Sequence, residues 1–217
     1  QTSNWDASKN SGAGGWAEGK VNADGMTTYK TTVNLLGGMI KGDAYGGGLG
    51  RLEVKSGETV TTEGIEAKVY GDVNVTLNGS AFNISYYDGA HSDVVKYGRV
   101  FGSNNLNGSP QGNVTVTVNK TVKGNVSRTA EDPEKPGKAK KGVTSTYEVA
   151  AVYGGGNLAD YTPALTGAKT NVNITTCDVS IQEVYGGGNA AAVPETDVLV
   201  NGAYEIEYVF GGGNGED

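Results

Sequence analysis

Apolar and polar residues alternate strictly in short runs along this chain. In Gly112–Thr121, GNVTVTVNKT, the residues Val114, Val116 and Val118 are separated by Thr115 and Thr117. This period of two is the signature of a strand with one buried and one wet face. The same pattern opens Thr31–Gly48 (TTVNLLGGMIKGDAYGGG), Gly71–Phe82 (GDVNVTLNGSAF), Thr170–Asn189 (TNVNITTCDVSIQEVYGGGN) and Thr196–Asn214 (TDVLVNGAYEIEYVFGGGN). In three of these the strand is followed by a polar or glycine corner, a second apolar pair, and an aromatic residue before glycine. No segment sustains a helical period, so the pattern predicts an all-β chain of many short strands.

An aromatic followed by glycine recurs at Tyr45, Tyr70, Phe101, Tyr153, Tyr185 and Phe210, and Asn157, Asn189 and Asn214 hold one place in the last three copies. Successive aromatics lie 25, 31, 52, 32 and 25 residues apart, so the shortest unit is 25 residues and longer intervals carry insertions. Repeats of this length, without helices for crossovers, bury their faces if each turn of chain stacks on the last. The predicted fold is a parallel β-helix, or β-solenoid, of six to eight coils in one domain spanning residues 1–217. An antiparallel sandwich is the competing architecture. In the solenoid the six aromatics form an internal stack and the three asparagines a hydrogen-bonded ladder. The glycines then serve a corner that needs positive φ or close backbone approach, and Asn tolerates the left-handed conformation.

A phosphate-binding reading of the glycines fails, because no helix N-terminus and no Lys-Ser/Thr pair follows them. GGNGED at 212–217 matches part of a calcium-binding nonapeptide, but no second copy stands nine residues away. No metal or other cofactor is therefore expected. Gly supplies 36 of 217 residues and only 5 are Pro, which suits tight corners between strands. The formal charge of −7, with Lys and Arg scattered outside one loop, argues against a nucleic-acid partner. No apolar run is long enough to cross a membrane as a helix. Cys177 has no cysteine partner in the chain and is expected to be a small buried residue. With no initiating Met or signal peptide, the chain is expected to be a mature or excised piece of a longer one.

The tandem units of the form VxV or VxI followed by IxxVYGGGN, from about Thr31 to Asn214, resemble glycine-rich β-helix repeats of large, adhesin-like surface or secreted proteins of gut-dwelling anaerobic bacteria. The resemblance implies secretion or cell-surface display. It carries over no catalytic motif and names no ligand.

Departures from the repeat are where function is expected. The insertion at 81–100, AFNISYYDGAHSDVVKYGRV, gathers Tyr86, Tyr87, Asp88, His91, Asp93, Tyr97 and Arg99. Aromatic faces beside hydrogen-bond acceptors are what a glycan site needs, so Tyr86 and Tyr87 are the candidate stacking residues and Asp88 and Asp93 the candidate acceptors. The bland reading is that the tyrosines close an inserted hairpin. The insertion at 127–146 is polar, with two prolines and Lys135, Lys138, Lys140 and Lys141, and reads as a solvated tip or a contact for an acidic partner. Residues 1–30, with Trp5 and Trp16, read as a cap over an open solenoid end.

The function expected is thus that of a non-catalytic adhesin-like module binding glycan or a host-surface partner, with end-to-end or edge self-association as a further expectation. The alternatives are a spacer within a larger surface protein and a polysaccharide lyase or glycoside hydrolase. Asp43, Asp72, Asp88, Asp160 and Asp178 are isolated in sequence, which disfavours the enzyme, although stacking brings distant residues together.

Overall fold

A computed structural model of the chain describes residues 30–87, 94–128 and 147–215. Among them there is no helix, and the alternating runs form strands. One sheet consists of β1 (Thr31–Leu35), β6 (Val73–Phe82), β10 (Val114–Val122), β13 (Thr170–Ile174) and β15 (Thr196–Val200) in that order, with β2 (Met39–Ile40) beside the far half of β6. The other consists of β3 (Ala44–Tyr45), β9 (Arg99–Phe101), β12 (Val149–Tyr153), β14 (Ser180–Tyr185) and β16 (Glu205–Phe210). All pairings in both sheets are parallel, while β4 (Val54–Ser56) and β5 (Thr59–Thr62) pair antiparallel with each other outside them. The antiparallel sandwich is therefore not this fold.

The two orders run in step, since the chain visits the first sheet and then the second at each of five levels. Register aligns like with like. Val33, Val75, Val116, Val172 and Val198 form one column, with Leu35, Leu77, Val118, Ile174 and Val200 beside it. In the second sheet Ala44, Val100, Val152, Val184 and Val209 align. The inward members of both sheets share one apolar cluster. Each fully buried Val or Leu in such a column contributes about 1.5–3 kcal/mol relative to exposure, and a one-residue slip would turn the whole column outward.

Tyr45, Phe101, Tyr153, Tyr185 and Phe210 also align, and their rings stack at centroid separations of 4.8, 4.7, 4.8 and 4.9 Å. Those separations match the strand spacing, so register alone places the rings in contact. The stack lies on the face of the second sheet away from the main core, and Phe101, Tyr153 and Tyr185 are themselves buried there. Each ring follows a core residue, as Tyr153 follows Val152, and successive strand residues point to opposite faces. The rings accordingly form a cluster of their own, with Ala151, outside the main core. Tyr70 takes no part in this alignment, because Phe101 registers directly with Tyr45. The residue beside it, Val69, bridges Pro110, and β6 of the first sheet begins three residues on. Against the predicted six to eight coils, the described residues form five levels, and among the stacked rings only the Tyr185 to Phe210 interval is as short as 25 residues.

The glycine triplets answer to close approach, not to left-handed backbone. None of the triplet glycines has positive φ, and neither does any described non-glycine residue, Asn157, Asn189 and Asn214 included. A Cβ on the first glycine of each corner but the last would run into the backbone of the next level: Gly46 against Gly102 O, Gly102 against Gly154 O, Gly154 against Gly186 O and Gly186 against Gly211 O. The corner amides continue the parallel ladder, with Gly102 N donating to Tyr153 O, Gly154 N to Tyr185 O and Gly186 N to Phe210 O, each at 2.9 Å. Thr170 and Thr196, level with Val73 and Val114 of the second and third levels, turn their hydroxyls to the carbonyls of Gly186 and Gly211 at 2.6 Å.

Candidate functional site

The insertion predicted at 81–100 is shorter in the structure, because Ala81 and Phe82 finish β6 while Arg99 and Val100 belong to β9. Between them β7 (Ile84–Tyr87) and β8 (Val94–Tyr97) pair antiparallel, with Ser85 opposite Tyr97, Tyr86 opposite Val95 and Tyr87 opposite Val94. β11 (Val126–Arg128), at the start of the second insertion, adds in parallel to β7 and sets Arg128 level with Tyr86. The two insertions therefore meet in one three-stranded side sheet, a pairing across some forty residues that no local pattern announces. Tyr86 and Tyr87 lie on its central strand. Asp88, His91 and Asp93 lie outside the described residues, as do Trp5, Trp16 and Lys135, Lys138, Lys140 and Lys141.

The root of this sheet is fixed by the core. Ile84 is buried, and Gly98, at φ 96°, turns the chain from β8 into β9 beside the Ile84 backbone. Arg99, one of the polar residues that the insertion gathers, is held by Asp43. Its backbone N and Nη2 donate to the two Asp43 carboxylate oxygens at 2.9 and 2.8 Å, and the guanidinium carbon lies 5.1 Å from the Phe101 ring centre. The side chains are 14% and 5% exposed, so the pair is desolvated. Burial opposes the charge on Arg99, but the hydrogen bonds and field of Asp43 outweigh it and raise its pKa.

Beside the ring stack runs the asparagine ladder. Asn189 Nδ2 donates to Asn157 Oδ1 at 3.1 Å and Asn214 Nδ2 to Asn189 Oδ1 at 3.0 Å. Asn157 Nδ2 continues it to Asn105 Oδ1 at 3.0 Å. Asn105 stands four residues after Phe101 as Asn157 does after Tyr153, a spacing that would have identified it. Tyr153 and Tyr185 tie the columns together through hydroxyl contacts of 3.3 and 3.2 Å to Asn189 and Asn214. In the second corner Ser103 and Asn104 replace glycines. Asn104 Oδ1 accepts from Gly48 N at 3.0 Å, while the buried Ser103 Oγ has no hydrogen-bond partner.

The other acids singled out by sequence serve the scaffold where their bonds are seen. Asp72 accepts from Asn113 N at 2.8 Å and Asp160 from Ala192 N at 2.7 Å. Among the described residues no group of three or more His, Cys, Asp or Glu is arranged to hold a metal ion. Cys177 is exposed, contrary to the expectation of burial, because it falls in the bend between β13 and β14 and not on a strand. Tyr161, which the repeat does not mark, is a core residue whose hydroxyl donates to Gly112 O at 2.6 Å, and burial raises its pKa. Tyr45 is raised likewise, by burial first and then by Asp43.

No protein-family model, no curated protein and no solved structure matches the chain.

Proposed function

We propose that the two parallel sheets are walls of a β-solenoid, and that the chain is a non-catalytic, adhesin-like module of a bacterial surface or secreted protein that binds glycan or a host-surface partner. The observation that carries this reading is the division of labour between repeat and insertion. Side chains at repeat positions satisfy one another, as ring on ring, amide on amide and Val on Val. The β7–β8 hairpin with β11 departs from both walls and presents chain that the columns do not require. On this reading Tyr86 and Tyr87 supply stacking faces and Asp88 and Asp93 hydrogen-bond acceptors.

The test is a glycan array followed by calorimetry on the parent and on the Tyr86→Ala, Tyr87→Ala double variant. Weak, calcium-independent binding that the double variant loses while remaining folded supports the reading. Undiminished affinity in that variant removes the site. The continuous columns equally suit a spacer that only holds another domain away from the cell, and absence of binding by the parent favours it. Release of unsaturated or reducing sugar from a polysaccharide would overturn the non-catalytic assignment. Surface labelling of intact producing cells with an antibody to this segment tests its display.

A further inference from the structure

At the start of the second sheet's strands, three successive levels build a polar column. Glu148 precedes β12 and its N donates to Ser180 O at 3.2 Å, while Ser180 registers with Glu205 on β16. Each carboxylate is held by one hydroxyl. Thr121 Oγ1 donates to Glu148 Oε2 at 2.6 Å and Ser180 Oγ to Glu205 Oε1 at 2.7 Å, and Ser180 N donates to Thr121 Oγ1 at 2.9 Å. The second oxygens, Glu148 Oε1 and Glu205 Oε2, make no hydrogen bond among the described residues.

The column opens into a cleft of about 570 Å³ whose lining also includes Lys120, Lys123, Asp178 and Tyr204. That volume is within the range of small-molecule sites. Neither lysine has an ion-pair partner among the described residues. Tyr204 is 78% exposed although neighbouring backbone is pinned, its N donating to Val179 O at 2.9 Å. The cleft thus combines oriented carboxylate acceptors two strand spacings apart, ammonium donors without an ion-pair partner among the described residues, and an exposed ring. Sugar hydroxyls donate to the first and accept from the second, with charge assistance in both cases, and the apolar face of a pyranose stacks on the third. Three carboxylates against two ammonium groups leave no cationic excess, which selects against acidic sugars.

We propose that this cleft is a second saccharide site, for a neutral sugar, separate from the side sheet. It deepens the glycan-binding reading and rests on it. The experiment is saturation-transfer NMR with cellobiose, lactose and N,N′-diacetylchitobiose as probes. It compares the parent, Tyr204→Ala, the Glu148→Gln, Glu205→Gln pair, and the Tyr86→Ala, Tyr87→Ala pair. The glutamine amide oxygens still accept from Thr121 and Ser180, so the Gln variant keeps the column while losing the open acceptors. Expected is at least one disaccharide whose transfer persists in the Tyr86, Tyr87 pair and whose affinity falls roughly tenfold in the Tyr204 and Gln variants; a probe bound by the side sheet loses transfer in the Tyr86, Tyr87 pair instead. Transfer that is lost only in the Tyr86, Tyr87 pair overturns this site and leaves the proposed function standing. Transfer unchanged in every variant, or none from any probe, also overturns it.

Discussion

The ring of Tyr153 lies 4.8 Å from that of Tyr185 with 4° between their planes, and the two strands carrying them are in direct parallel register. The contact is a consequence of backbone spacing, so it stabilises the same register that creates it. Replacing Tyr153 with Ala removes a ring stacked on both faces and opens a cavity. The expected loss is about 3–5 kcal/mol, read by denaturant unfolding. A loss below about 1 kcal/mol would mean that the valine columns hold the register without the rings.

Gly154 and Gly211 occupy the same place in their corners, but only Gly154 has a neighbouring level against its would-be Cβ. An added methyl at Gly154 meets Gly186 O and the Thr170 side chain, whereas at Gly211 nothing lies within 4 Å. Neither has positive φ. Gly154→Ala should therefore cost about 1–3 kcal/mol by overpacking, and Gly211→Ala should stay within about 0.5 kcal/mol. Equal effects at both would point to a conformational demand common to the corner.

Asp43 and Arg99 form a buried pair at the root of the side sheet. Removing either partner leaves an unpaired charge, so Arg99→Ala should cost about 3–5 kcal/mol. The Asp43→Ala, Arg99→Ala double variant should cost clearly less than the two single losses added together. Additive losses would show that the two side chains act independently.

Tyr45 and Tyr161 have pKa values raised by burial above the ordinary tyrosine value of about 10. Both are neutral in the folded chain, so their contribution is complete below the unfolded value and declines as pH rises above it. Stability should hold up to about pH 10 and then fall. In an alkaline titration followed by phenolate absorbance, late ionisation should coincide with loss of β-sheet circular dichroism. Ionisation of all tyrosines near the unfolded value without unfolding would contradict this.

How much of this was legible in the sequence follows from which interactions are local. Alternation marked β1, β6, β10, β13 and β15, because a half-buried strand must alternate. The spacing of Tyr153, Tyr185 and Phe210 marked the ring stack, but not its face, which is set by the core residue just before each ring. Tyr70 has the local form of an anchor. Only the register of Tyr45 with Phe101 shows that no level remains for it. Asn105 was hidden because Ser103 and Asn104 break the glycine triplet. The pairing of β11 with β7 and the column of Glu148, Ser180 and Glu205 depend on how insertions of unequal length bring distant residues level. No window of sequence records that.

The most direct test of the central claim, that the repeats build the scaffold and the inserted side sheet binds, replaces residues 86–95 with an Asn-Gly turn and compares unfolding and glycan binding with the parent. Expected is an unfolding midpoint close to that of the parent together with loss of the array signal assigned to Tyr86 and Tyr87. That signal retained in the shortened, folded protein would contradict it.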